Sequence, residues 1–352
     1  LLDDIKNELS DVISQFANKH AVEKPELVPW EKLPELVDFV FIALHGRPGE
    51  DGTVQEILEK IGIPYNGSGI ESSKITIDKH LTNQILRQHG FSVQKQMVIK
   101  KHDWQKDKDK VIKHIESEFS YPFIAKPVDE GCSSAVIVIK NRNQLEAYAE
   151  TTFRDQDELD KEHAKVLNIP MNALFPAKDY FLIEDLVRKP EGGKLFEITV
   201  GLTTETDEKT GNVVHRVFVP SLVPTKGEIL TLEEKFLAGE GQNITPAVFV
   251  DDIEENRRII KIIQKEIERL AKVLDIHGYA SVDAFLRLHP DNKPEVVIIE
   301  INSLPGMTPA TVIFHQAAEE GMTPIQFIEH IIEEGKRKQK IQKGIPQKTE
   351  NV

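Results

Sequence analysis

The order of hydrophobic and polar positions divides the chain into helical and extended stretches. Helical spacing runs through Leu2, Ile5, Leu9, Val12, Ile13 and Phe16 over residues 1–20. It is clearest over residues 253–274, where Ile260, Ile263, Ile267, Leu270 and Leu274 share a face. Further helices are predicted over 72–89, stopping at Gly90, over 107–118, and over most of 143–165. Thr53 with Glu56 fits a capping box at the start of another helix. Thr323-Pro324 fits an N-cap followed by proline at the first helical position. The nearly continuous apolar run Val37–Leu44 predicts a strand buried on both faces. Shorter strands are predicted over 61–64, 91–99, 123–126, 135–139, 180–187, 196–203 and 213–219, and a hairpin over 279–302. The basic, polar stretch from Lys336 reads as a fraying, solvated tail. Strands and helices alternate early and mix later, so the expected fold class is α/β followed by α+β.

Length adds a domain count. At roughly 150 residues per domain, 352 residues make two or three. Apolar residues at 39% and charged residues at 29% suffice for a core and exclude disorder by composition. The 44 cationic and 58 anionic side chains leave a net charge of −14. That balance argues against a general nucleic-acid or anionic-membrane partner, either of which needs a cationic face. No apolar run is long enough to span a bilayer. The one cysteine, Cys132, excludes an internal disulfide framework and a multi-cysteine zinc site. No signal peptide opens the chain, so a reduced, cytoplasmic setting is expected. Residue 1 is Leu, which fits a piece of a longer polypeptide.

The hairpin carries the sharpest chemistry. Its turn, His289-Pro290-Asp291-Asn292-Lys293, has its centre near 291–292, so Asp283 is predicted to lie opposite Glu300. Asn302, two residues beyond Glu300, shares its sheet face. Buried like charges call for a cation. Hard oxygen donors of this kind suit Mg²⁺ or Mn²⁺ shared with phosphate oxygens. Lys126 closes the strand Phe123-Ile124-Ala125-Lys126, and the loop Asp129-Glu130-Gly131-Cys132-Ser133-Ser134 follows. A lysine beside loop amides and hydroxyls can cradle phosphate, although no Walker loop is present. The strand Phe181-Leu182-Ile183-Glu184 ends in an acid and can present an adenine hinge.

Taken together, ALHGRPGEDGT (43–53), IPYNGSGIESSKITIDK (63–79) and EINSLPGMTP (300–309) resemble the D-alanine–D-alanine ligase family of the ATP-grasp superfamily. The similarity runs from about Val37 to Glu334. It implies an ATP-grasp fold: a partial N-terminal α/β domain over 1–77, a central lobe over 78–180, a C-terminal metal-bearing lobe over 181–335, and a tail over 336–352. ATP would lie between the lobes. By the resemblance, Lys79, Lys126 and Ser133 contact its phosphates, Glu184 takes the adenine amino group with Leu186 and Val187 nearby, and Glu197 binds the ribose. Lys235 reaches the γ-phosphate, and Lys235 and His45 are the catalytic candidates. Asp283, Glu300 and Asn302 would hold two Mg²⁺ or Mn²⁺ ions. His45 and Glu50 lie by the first substrate, and Gly306 and Thr311 by the second substrate's carboxylate. The implied activity is ATP-dependent joining of two amino acids through an acyl phosphate, in peptidoglycan precursor synthesis. Small amino acids are the implied partners, and a homodimer is compatible with the family.

The chain also departs from the family pattern. The family's opening strand and its ammonium-binding acid have no visible counterpart before Val37. Ser281 stands where the family has an arginine two residues before the metal aspartate. Losing such a donor costs roughly 3–4 kcal/mol of transition-state stabilisation. Arg47 and Arg216 are candidate replacements, whereas Arg287 on the same strand is about 20 Å away at strand rise. Cys132 and Ala135 replace a serine and a glycine of the phosphate loop, and Phe236 replaces a tyrosine after Lys235. The stretch 151–178 is longer than usual. These changes keep two alternatives open: an ATP-grasp ligase for a different amino or hydroxy acid pair, and a catalytically weakened ATP-binding module.

Overall fold

The computed structural model describes residues 27–130, 135–223, 243–308 and 311–344, with side chains to Ile341. The helix expected over 1–20 lies outside them. Two compact units are present, Leu1–Asp38 and Phe39–Val352. Within the first, the described residues form a 3₁₀ turn, Trp30–Lys32, and a short helix, Leu33–Leu36.

The second unit is built on two sheets. Among the described residues its strands are β1 (Ser92–Val93), β2 (Gln96–Lys100), β3 (Phe123–Lys126), β4 (Ile137–Ile139), β5 (Tyr180–Asp185), β6 (Lys194–Thr206), β7 (Val213–Val217), β8 (Ser221–Leu222), β9 (Tyr279–Leu288) and β10 (Pro294–Asn302). A six-stranded sheet runs β1-β10-β9-β6-β7, with β8 also paired to β6. A four-stranded sheet runs β2-β5-β3-β4.

One face of the larger sheet is apolar. Ile198, Val200, Val282, Ala284 and Leu286 pack there against Ile259, Ile263, Ile267 and Leu270 of the helix Ile253–Val273. Each such side chain contributes about 1.5–3 kcal/mol on burial. Asp252 caps that helix by accepting from the Glu255 N–H. The smaller sheet buries Phe123, Ala125, Phe181 and Ile183 under helices Lys108–Glu118 and Arg142–Thr152, which supply Ile112, Ile115, Leu145 and Tyr148. Strand alternation turns each sheet's other face toward polar chemistry.

Several local expectations are corrected. Val37–Leu44 is not a buried strand: only an isolated parallel bridge, Val40 to Tyr65, forms there, and Leu44 is half exposed. In place of a neighbouring strand, the Asn66 side chain accepts from the Ile42 N–H at 2.6 Å and donates to the Ile42 carbonyl at 3.2 Å. The helix at Thr53 has no capping box. Gly52 takes the cap position with a positive φ, and Asp51 Oδ1 accepts from the Thr53 N–H. The helix expected over 72–89 is two helices, α1 (Ile70–Ile77) and α2 (Lys79–Gln88), divided at Asp78. The strand expected over 91–99 is split between β1 and β2, which belong to different sheets. The helix predicted over 143–165 is likewise two, Arg142–Thr152 and Lys161–Leu167. Residues 345–352 of the expected tail lie outside the described residues. The final helix α4 (Pro324–Gly344) continues from Lys336 to Gly344, where fraying was expected. Its start matches the expectation: Thr323 Oγ1 accepts from the Gln326 N–H, and Gln326 Oε1 accepts in return from the Thr323 N–H.

Candidate active site

The polar face of the larger sheet gathers the predicted acids. Across β6 and β9, Thr199 is paired with Asp283 and Gly201 with Ser281. Across β9 and β10, Glu300 is paired with Asp283 and Asn302 with Ser281. Directly paired residues share a face, with side chains about 5 Å apart. A bulge between Ile298 and Glu300 makes this possible. Before it, Val296 and Ile298 point into the core; after it, Glu300 and Asn302 lie with Asp283 on the opposite face. Thr199 Oγ1 donates to Asp283 Oδ1 at 2.6 Å and fixes that carboxylate. Glu197 lies two residues earlier, on the same face of β6.

Lys79 reaches this face from the start of α2. Asp78 divides α1 from α2 because its carboxylate accepts from the His80 and Leu81 N–H groups. The Lys79 N–H donates to the Val128 carbonyl at the exit of β3. Its ammonium lies 3.3 Å from Glu300 Oε2 and also donates to the Glu130 carbonyl. One side chain thus ties the acid face to the loop entered at Glu130.

On the smaller sheet, Ile124, Lys126, Leu182 and Glu184 share the face opposite that sheet's core. Lys126 Nζ donates to Glu184 Oε1 at 2.9 Å, with both side chains buried, and Gln96 Nε2 donates to Glu184 Oε2 at 2.6 Å. Leu186 and Val187 follow β5 and line a cleft of about 540 Å³ with Val93, Gln94, Arg287 and Val297.

The loop 45–51 is held by Glu50. Its buried carboxylate accepts from the Gly46 N–H at 2.7 Å and from the Leu304 N–H at 2.9 Å, and lies 3.1 Å from His45 Nδ1. Glu50 therefore spends its oxygens on backbone and His45, tying the loop to the segment that follows Asn302. Arg47 spans from Asp51 to Asp129, each at 2.9 Å, and Lys178 lies 3.2 Å from Asp129. Burial works against the Asp129 carboxylate, but Lys178 and Arg47 beside it hold it below the ordinary carboxylate range.

The remaining predicted residues fall in three groups. Gly306 lies in the irregular segment after β10, and Thr311 stands before helix α3 (Val312–Glu319), its hydroxyl donating to the Thr308 carbonyl. Ser133, Lys235, Cys132 and Phe236 lie outside the described residues. Ser281 is buried, and the candidate arginines are engaged elsewhere: Arg216 with Glu205, Arg47 with Asp51 and Asp129. Thr199 and Gln96 were not anticipated. Alternation from Glu197, and the pairing of 96 with 184, are the signals that mark them.

Comparison with known proteins shows the family. The family models for the D-ala D-ala ligase N-terminus and C-terminus match residues 3–68, and 85–164 with 162–333. The D-alanine–D-alanine ligase of Natranaerobius thermophilus is 29% identical over 93% of this chain and 78% of its own length. That of Geobacillus kaustophilus is 32% identical over 85% and 69%. The solved D-alanine–D-alanine ligase of Bacillus anthracis, complexed with ATP, superposes with a TM-score of 0.60 at 25% identity, covering 92% of this chain and 89% of that one. On two family models, the shared fold and relatives matched over most of their length, the chain belongs to the D-alanine–D-alanine ligase family.

Proposed function

We propose that the chain is an ATP-dependent ligase that joins two D-alanine molecules through an acyl phosphate, supplying a peptidoglycan precursor. The observation that carries this reading is the acid face of β6, β9 and β10, tied through Lys79 to the loop at Glu130. In this reading Lys126, Glu184, Leu186, Val187 and Glu197 seat the nucleotide between the two sheets, with Ser133 and Lys235 at its phosphates. By the same reading an N-terminal domain spans 1–77, the central lobe 78–180 and the C-terminal lobe 181–335, with the boundary between the lobes moved to Asp185 because β5 pairs with β2 and β3.

Asp283, Glu300 and Asn302 offer hard oxygen donors at adjacent positions on one face, which fits Mg²⁺ or Mn²⁺. Among the described residues no cluster of three His, Cys, Asp or Glu forms a metal site, so phosphate and water would complete the coordination. When bound, the ions would supply electrostatic clamping of the phosphates. The chain's own residues do the rest. Lys79 and Lys126 neutralise phosphate charge, Thr199 holds Asp283 in place, and Glu50 and His45 shape the first-substrate loop. Gly306 and Thr311 border the second substrate's carboxylate. Rate comes mainly from positioning and charge neutralisation. The setting is cytoplasmic, where a homodimer is compatible with the reading; among the described residues no helix is long and apolar enough to cross a membrane.

The test is to incubate the protein with ATP, Mg²⁺ and D-alanine and to follow phosphate and dipeptide together. Dipeptide at enzyme-like rates is expected, with Glu300→Ala abolishing it. Activity that survives Glu300→Ala sinks the metal assignment. A second reading, a different acceptor amine or hydroxy acid, is favoured by Ser281 and by the engagement of Arg47 and Arg216 elsewhere. It requires phosphate release with another acceptor and none with D-alanine alone.

A further inference from the structure

Helix α4 meets the segment 62–67 at the carbonyls of Gly62, Tyr65 and Gly67. Gln339 Nε2 donates to the Gly62 carbonyl. Gly335 lies so close to the Tyr65 carbonyl that a Cβ there would come within 2.3 Å of its oxygen. Lys338 Nζ donates to the Gly67 carbonyl at 2.9 Å and lies 3.8 Å over the Tyr65 ring. The Tyr65 hydroxyl in turn donates to Glu59 at 2.6 Å. Lys338 is buried, and burial pushes its ammonium down to about 7, against the opposing pull of Glu59 and Asp275. A buried lysine is an expensive way to fill space. What it adds over an aliphatic residue is a charged donor aimed at one carbonyl and one ring.

The gripped segment supports the first-substrate loop from two sides. Gly67 has φ +84, and a Cβ on it would come within 2.7 Å of Leu304 Cδ2, so the turn is pressed directly against Leu304. Leu304 is the residue whose N–H donates to Glu50 and whose carbonyl lies 3.5 Å from His45 Nδ1. Next to Gly67, the Asn66 amide holds both backbone groups of Ile42, three residues before His45, and donates to the Tyr279 hydroxyl.

We propose that Lys338 is a positioning residue for the ligase reaction. By holding the Gly67 carbonyl and the Tyr65 ring, it fixes the 65–67 turn beneath Leu304 and Ile42, and thereby sets the place of Glu50 and His45. The inference rests on the ligase reading for its kinetic consequence and on geometry alone for its structural one.

Two variants of the full chain test it, Lys338→Met and Gln339→Ala. Methionine keeps the volume and removes the buried charge, so the fold survives. The expected result is amide exchange at least about tenfold faster at Gly46 and Leu304, the two N–H groups held by Glu50, with exchange in β6 unchanged. The KM for D-alanine should rise by roughly 5- to 20-fold while the KM for ATP stays within about twofold. Gln339→Ala, which leaves the charge in place, should show the same pattern more weakly. Unchanged exchange at Gly46 and Leu304 overturns the proposal, as does an equal rise in both KM values. If the parent protein does not turn over D-alanine, the ligase reading fails and the exchange comparison alone decides on Lys338.

Discussion

Removing Glu184 isolates the buried pair at the heart of the candidate nucleotide site. Glu184→Ala leaves the Lys126 ammonium without its partner at 2.9 Å, at side-chain exposures of 5% and 6%, and leaves the Gln96 amide without its acceptor. Breaking one member of such a buried pair costs about 3–5 kcal/mol, because a charge stays in the interior uncompensated. For a lobe of about 100 residues that corresponds to a fall in Tm of at least roughly 12 °C. Replacing both members, Lys126→Met with Glu184→Leu, should recover most of the loss, since an apolar pair of similar volume carries no desolvation cost. The assay is thermal and denaturant unfolding of the parent, Lys126→Met, Glu184→Leu and their double variant, read as a cycle, with Glu184→Ala measured beside it. A coupling of at least about 2 kcal/mol is expected. A single-variant cost below about 1 kcal/mol, or additivity within about 0.5 kcal/mol, would show that the pair is not a desolvated ion pair. The stable double variant should nevertheless bind ATP poorly. Undiminished ATP binding would remove both side chains from the nucleotide site.

Two further outcomes follow from the charge network. Arg47→Met should lower stability by about 1 kcal/mol or less, because Arg47 is half exposed although Asp129 is not. The Asp129 carboxylate is held below its ordinary value of 3.8, so the difference from the parent should be present at neutral pH and fade as pH falls through that lowered value. A difference that persists at pH 2 would point to packing instead. Lys338 gives a rise with pH of the same sign, in a higher window, because burial disfavours its charged form. Its ammonium, ordinarily at 10.5, is pushed down to about 7, so between those values the unfolded chain binds a proton that the folded chain does not. Stability of the parent relative to Lys338→Met should therefore rise with pH across that window, by up to about 1.4 kcal/mol per pH unit. Denaturant midpoints at pH 7, 8 and 9 measure it, and parallel profiles for the two proteins would show that burial does not depress the Lys338 ammonium.

The features readable from sequence were those in which a short-range pattern and the long-range partner agree. The pairing of Asp283 with Glu300 is of this kind. The turn at 289–293 brackets the register, and the bulge at Ile299 restores the alternation that sends Glu300 and Asn302 to the polar face. The amphipathic helix Ile253–Val273 is another, since its apolar stripe meets a matching sheet face. The readings that failed share a different physics. Around Asp78 the residues on both sides favour helix, and only the aspartate's own bonds to His80 and Leu81 divide them; an N-cap in the middle of a helical run leaves no mark in the apolar period. Gln94 and Lys95 carry the chain from one sheet to the other without breaking the extended pattern. Val37–Leu44 has the composition of a buried strand, but a strand also needs a neighbour, and along Ile42 a single Asn66 amide takes that place. Composition misread the last segment for a related reason. Its lysines and glutamines look solvated as a set, yet Gly335, Lys338 and Gln339 recur at helical spacing and meet the carbonyls of 62–67. Spacing rather than polarity decides which face of a helix is buried, and a donor on that face needs only an acceptor opposite it. Such acceptors are backbone carbonyls, which every residue carries and no sequence distinguishes.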